Sequence, residues 1–97
     1  MKIALSALAV RDLENAYRYL NEQSQSAGDR FLSSFEAELE LLQGHPFLGR
    51  RRHFKKLGVR SWRVRGFESF LIFYFPGDKT LDVIRVLHGA RDVAELV

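Results

Sequence analysis

Cysteine is absent from the 97-residue chain. That excludes a disulfide framework and any thiolate metal site, and it points away from an oxidising compartment. A cytoplasmic location is expected. Long apolar runs are missing as well: the longest, FLIFYF at residues 70–75, has six residues, against the ~20 needed to span a bilayer. The opening MKIALSALAVRD imitates a secretory signal, with a lysine and an Ala7-Leu8-Ala9 small-x-small triplet. Its apolar stretch would be only about four residues where such signals use ~7 to 15, so no leader is expected. There is no P-loop, no G-x-G-x-x-G, no G-x-S-x-G and no cysteine nucleophile. His45 and His53 fall in one irregular segment without ligand spacing or a supporting acidic motif, so neither a metal nor a cofactor is expected.

What is present is an ordinary globular balance, 46% hydrophobic and 28% charged residues. At this length it implies one domain, residues 1–97, with one core. The net charge of +3 conceals an asymmetry. Residues 1–49 carry four basic and seven acidic side chains, a net of −3, and residues 50–97 carry eleven and five, a net of +6. Residues 50–65 (RRRHFKKLGVRSWRVR) hold eight Lys or Arg and no acid. Such a block is either a solvated face or a surface for an anionic partner. Like charges so crowded repel unless something relieves them.

The apolar periodicity changes along the chain. Residues 2–5 read as a short strand, with Ser6 as the cap of a first helix. In that helix Leu13, Ala16, Tyr17 and Leu20 share a face, while Arg11, Asp12, Glu14, Asn15 and Arg18 take the solvent side. Ser26 with Asp29 three residues on reads as a capping box for a second helix. Phe31, Phe35, Leu39 and Leu42 form its stripe, and Gly44 and Pro46 its stop. Residues 45–58 read as a connecting loop. Beyond it the period becomes two. Trp62 and Val64 alternate with Ser61, Arg63 and Arg65 on a half-buried strand, and residues 70–75 form a central strand covered on both faces. Pro76 to Lys79 is a turn. In the last strand, residues 81–88, Asp82, Ile84, Val86 and His88 point one way and Leu81, Val83, Arg85 and Leu87 the other. Gly89 ends it, and residues 92–97 are expected to add a last helical turn. The fold expected is α+β: a short strand, a helical hairpin and a three-stranded antiparallel meander in one sheet, in the order β-α-α-β-β-β, with the hairpin on one face.

Several residues are chemically suggestive. Arg63 and Arg65 share a strand face, and Arg85 joins them if the register allows, which would make a convergent site for a carboxylate or polyanion. His88, at a strand end with Arg91 close behind, suits general acid or base work in RNA cleavage, where arginines would stabilise the phosphorane-like charge. It equally suits a backbone-bonded strand-end histidine. The aromatics of residues 70–75 are expected in the core beneath the hairpin stripe. Trp62, beside the basic loop, is the first candidate for a partner anchor.

Taken together, SALAVRDLENAYRYL at residues 6–20, FLSSFEAELELLQGHPFLGR at 31–50, FLIFYF at 70–75 and IRVLHGARD at 84–92 resemble the RelE/ParE superfamily of toxins from type II toxin–antitoxin systems, on its ParE branch. The HGARD ending and the H-P-x-x-G-R loop at residues 45–50 carry most of the likeness. The resemblance implies the RelE/ParE toxin fold and a cytoplasmic toxin held in a hetero-oligomer by a cognate acidic ParD-like antitoxin, whose partly disordered segment wraps the toxin. It implies growth arrest through DNA gyrase, stalled with cleaved DNA, and the plasmid-stabilising or stress-response role of such systems. No catalytic residue is then asserted. The partner-binding residues expected are Trp62, Arg63, Arg65, Arg85 and Arg91, with direct nucleic-acid contact secondary and no membrane contact. The alternative is the RelE-like activity, ribosome-dependent mRNA cleavage, using Arg65, Arg85 and His88. Tyr17, Tyr19 and Tyr74 all precede the last strand, so a C-terminal catalytic tyrosine is missing.

Overall fold

In a computed structural model of the chain, residues 1–89 are described. Arg91 and the helical turn expected at residues 92–97 lie outside the described residues. The elements run β1 (Lys2–Leu5), α1 (Ala7–Gln23), α2 (Ala27–Gly44), β2 (Arg50–Arg51), β3 (Arg60–Val64), β4 (Phe67–Pro76) and β5 (Thr80–His88). The strands form one sheet in the order β1-β5-β4-β3-β2, antiparallel except where β1 runs parallel to β5. This is the α+β architecture expected from the pattern.

Local chemistry sets the helix starts. Ser6 Oγ accepts the Ala9 N–H at 3.0 Å and donates to the Ile84 carbonyl at 2.7 Å, so one hydroxyl caps α1 and ties it to β5. The expected capping box at α2 does not form. Ser26 sits in the left-handed region at φ 63° without a side-chain cap bond. Asn21 Oδ1 instead takes the Gly28 N–H at 2.8 Å, and Asp29 accepts from the Tyr17 hydroxyl at 3.1 Å. A tight turn between antiparallel helices lets residues of α1 supply what Ser26 cannot.

The α2 stripe of Phe31, Phe35, Leu39 and Leu42 is buried against Val64, Phe70, Ile72, Tyr74, Leu81, Val83 and Val86 on one face of the sheet. A smaller cluster on the other face joins Val59, Leu71, Phe73 and Leu87, with Phe54 and Ile84 packed on it. β4 is therefore covered on both sides, which explains its unbroken apolar run.

Three features of the sheet also depart from the sequence reading. The segment expected to be all loop contains β2, whose Arg50 and Arg51 pair with Ser61 and Arg60; two exposed arginines carry no apolar alternation that would reveal a strand. Arg65 is not on a strand face but in the turn between β3 and β4, beyond a register shift at Arg63/Val64. In β5 the alternation does not run through. Phe73 faces Arg85 while Tyr74 faces Val83. One extra residue on β5 resets the parity, leaving Leu81, Val83 and Val86 toward the hairpin and Leu87 away from it.

The most consequential departure is Asp12, expected on the solvent side of α1. β1 pairs with β5 only from Thr80 to Val83. Where β1 stops, the Asp12 carboxylate takes over that edge, accepting the Val86 N–H at 3.0 Å and the Arg85 guanidinium at 2.8 and 3.0 Å. The side chains are only 15% and 9% exposed for Arg85 and Asp12. Removing one partner strands the other in a poorly hydrated place. Asp12→Ala should therefore lower unfolding free energy by about 3 kcal/mol. An Asp12→Leu/Arg85→Met double variant should regain much of that loss. Urea unfolding of wild type, both single variants and the double variant measures the coupling.

Candidate partner-binding site

The basic block is partly neutralised by its own surroundings. Arg60 Nη1 donates to the carbonyls of Phe47 and Gly49 at 3.0 and 2.9 Å and lies over the Phe47 ring, 5.2 Å from its centroid. Arg63 Nη1 donates to the Glu68 carbonyl at 2.6 Å. Arg52 lies over the rings of both Phe54 and Phe73, and Lys56 over Phe75. Ring faces and carbonyls thus supply the relief that the missing acids do not. Arg50, Arg51, Lys55 and Arg65 remain exposed.

Arg85 does not join Arg63 and Arg65. β4 separates β5 from β3, so Arg85 is not on a neighbouring strand of Arg63, and its guanidinium is held by Asp12. The three-arginine convergence considered from the sequence is therefore replaced by a different cluster. An open groove of about 720 Å³ runs along the β3 edge, where Arg50, Arg52, Arg63 and Arg65 meet Glu38 and Glu68. Its apolar part comes from Ala37, Leu41, Leu48, Trp62 and Leu71. Trp62 is half-buried against the hairpin-side core, and its Nε1 donates to Glu38 at 2.8 Å. It is thus both a core-edge residue and a wall of the groove. Arg50 and Arg52 were visible in the sequence only as members of the basic run; what singles them out is the pairing of β2 with β3, which carried no periodic signal.

The groove mouth is positioned by a clasp around Tyr74. This fully buried tyrosine donates to the Pro46 carbonyl at 2.8 Å and accepts the Gly49 N–H at 2.9 Å. Burial pushes its phenol pKa up, an effect opposed by the Gly49 N–H bond and by nearby Arg60. A Cβ at Gly49 would lie 2.5 Å from the Tyr74 hydroxyl and 2.9 Å from the Ser61 carbonyl, so only glycine fits there. The H-P-x-x-G-R segment is accordingly a structural clasp: its Pro carbonyl, Gly amide and following Arg set the route by which the chain enters β2.

His88 stands elsewhere. It faces Phe70 across the β4–β5 ladder with its ring edge-on, centroids 5.3 Å apart. It lines two grooves, one with Asp12, Asn15 and Tyr19 and one with Gln23 and the β3–β4 turn. The groove holding Arg65 includes neither His88 nor Arg85. A separate apolar groove of about 530 Å³ lies on the hairpin, lined by Leu5, Val10, Leu13, Tyr17 and Leu32 with Glu14 and Arg18. Of the α1 stripe, Ala16 is buried, while Leu13, Tyr17 and Leu20 are partly buried, Leu13 and Leu20 packing against the hairpin-side core. Among the described residues no group of three His, Asp or Glu side chains could hold a metal ion, and no helix is long and apolar enough to cross a membrane.

The family model for the ParE toxin of type II toxin–antitoxin systems (parDE) matches residues 3–93. The chain belongs to the ParE toxin family. Among solved structures, the chain is similar to one of the chromosomal ParDE toxin–antitoxin system from P. aeruginosa, with a TM-score of 0.75 and 17% identity over 91% of this chain and 95% of that one. It is also similar to YafQ from E. coli strain BL21(DE3), with a TM-score of 0.67 and 16% identity over 92% and 93% of the two chains. A YafQ histidine-to-glutamine mutant from E. coli gives a TM-score of 0.66 at the same identity and coverage. No curated protein matches the sequence. At such identities these likenesses establish the fold, and the RelE/ParE toxin architecture anticipated from the sequence is the one found. For this ParE-family chain the Tyr74 clasp predicts that Tyr74→Phe costs about 1–3 kcal/mol, because the Pro46 carbonyl and Gly49 N–H lose their partner. With its folded pKa raised from the ordinary 10.0, Tyr74 stabilises the fold fully below that value. The contribution is lost as pH rises from there through the folded pKa. Urea unfolding between pH 8 and 11 should show wild-type stability falling above about pH 10 and a shallower fall for Tyr74→Phe.

Proposed function

We propose that this chain is a cytoplasmic toxin that arrests growth by binding DNA gyrase directly, stalling it with cleaved DNA, and that an acidic antitoxin neutralises it. Membership of the ParE family over residues 3–93 carries the reading. The disposition of the alternative catalytic set supports it: a nuclease built on Arg65, Arg85 and His88 needs them around one phosphate. Arg85 is instead held by Asp12, and Arg65 and His88 line different grooves. A surface for protein recognition requires no such convergence.

The antitoxin contact divides into two surfaces. The apolar hairpin groove takes hydrophobic anchors, and the arginine groove beside Trp62 takes carboxylates. Rim charges of this kind act mainly on encounter rate and salt dependence. Arg85, committed to Asp12, contributes by holding α1 in place rather than by direct contact.

Purified protein should inhibit gyrase supercoiling and accumulate cleaved DNA complexes, and translation extracts should show no specific mRNA cleavage. Unaffected gyrase at stoichiometric excess, together with mRNA cleavage, would reverse the assignment. His88→Ala should leave growth arrest intact if its folding is intact by circular dichroism. Loss of arrest in that folded variant would favour the nuclease reading.

A further inference from the structure

We propose that the apolar groove on the helical hairpin is the contact face of a symmetric dimer, filled by the same face of a second copy of this chain. The inference goes beyond the toxin reading and does not depend on it. Where that reading gives the groove to an antitoxin's apolar anchors, the second copy holds it while no antitoxin does.

The face is built into α1. Val10, Leu13, Glu14, Tyr17 and Arg18 fall at i, i+3, i+4, i+7 and i+8, one continuous stripe of the helix. It runs beside the stripe of buried Ala9 and Ala16 that joins the core under the hairpin. Leu32 of α2 and Leu5 at the end of β1 complete the lining. Leu5 and Val10 keep 41% and 40% of their surface exposed, so the groove presents apolar area that gains from leaving water.

What selects a second copy is the charge on that stripe. Glu14 and Arg18 are both exposed and border the apolar residues. They are spaced for a pair within the helix, yet they do not bond each other. Arg18 donates to Asn15 at 2.8 Å, and Glu14 has no partner among the described residues. A stripe with one acid and one base is self-complementary under a two-fold axis, because each contact then occurs twice. Antiparallel packing of two α1 helices, with the axis between Leu13 and Tyr17, sets Leu13 against the second copy's Tyr17. It also brings each Glu14 within reach of the second copy's Arg18.

Other occupants fit less well. α1 carries two basic and three acidic side chains, so an anionic membrane surface does not attract it. Joining hairpins also leaves the basic blocks apart, since Arg50, Arg52, Arg63 and Arg65 line a different groove at the β3 edge. A contact confined to one groove per copy is small, which places the dissociation constant at about 1–100 μM.

Sedimentation velocity of the full-length protein from about 1 to 500 μM should show monomer converting to dimer. Glu14→Arg and Arg18→Glu each set like charges across the axis. Each should weaken dimerisation about tenfold or more with its circular dichroism unchanged. Mixed one to one, the two variants should recover a dimer of near wild-type affinity, because one copy then presents two cations and the other two anions. Val10→Asp should abolish association. A protein still monomeric at the highest concentration, single reversals without effect, or a mixture no tighter than its components would each overturn the proposal. So would binding to phosphatidylglycerol vesicles that Val10→Asp removes, which would give the groove to a lipid surface. Neither gyrase nor an antitoxin enters the measurement, so a failed gyrase assay and a failed dimer assay point to different errors.

Discussion

The Asp12 carboxylate on the flank of β5 is the constraint from which much of the molecule follows. A four-residue β1 covers only the first half of a nine-residue β5, which leaves backbone donors at an edge half buried beneath α1. Unpaired there, the Val86 N–H would cost about 1–3 kcal/mol. Asp12 satisfies it and brings a negative charge that Arg85 then neutralises in a two-point contact. Ser6 makes the corresponding link at the start of α1, through the Ile84 carbonyl. Together these bonds fix the angle at which α1, and through it the whole hairpin, crosses the sheet. They also decide what Arg85 is for, since a guanidinium engaged in this way is structural.

The opposite edge of the sheet is organised by a different device. Tyr74 buries a phenol oxygen that must be partnered, and its partners are the two peptide groups that route the chain from α2 into β2. Arg60 adds two further bonds to the same loop. The loop can then deliver only a two-residue strand before the chain turns away. The clasp that satisfies the core tyrosine thus leaves the remainder of β3 uncovered, and the arginines of the basic block are distributed around that uncovered edge.

How much of this could be read in the sequence depends on whether periodicity carried it. The α2 stripe, the doubly covered β4 and the helix-to-strand order were visible because apolar spacing at 3.6 and 2 residues survives in the chain. The Ser6 cap was visible because cap chemistry is local. Asp12 was hidden, since one acid among Arg11, Glu14 and Arg18 gives no sign that a strand edge 73 residues away needs it. The extra residue in β5 was hidden because Leu, Val and Ile fit either face, so a parity reset leaves no trace in composition. β2 was hidden because an edge strand of two arginines has no apolar side. The site was legible as a stretch of charge and a tryptophan, but which cations converge was a question of strand order, and that placed Arg50 and Arg52 beside Arg63 and sent Arg85 elsewhere.

The two edges together explain the uneven charge of the chain. An edge that is to be sealed permanently can be closed with an internal pair of opposite charges, and β5 is closed in that way. The β3 edge is not closed in that way, and the like charges along it keep it soluble and keep it from pairing with its own kind, because two such basic edges repel. The surplus of cations in residues 50–65 thus divides in two: rings and carbonyls within the chain engage Arg52, Lys56, Arg60 and Arg63, and Arg50, Arg51, Lys55 and Arg65, all exposed, carry the charge that those contacts do not reach.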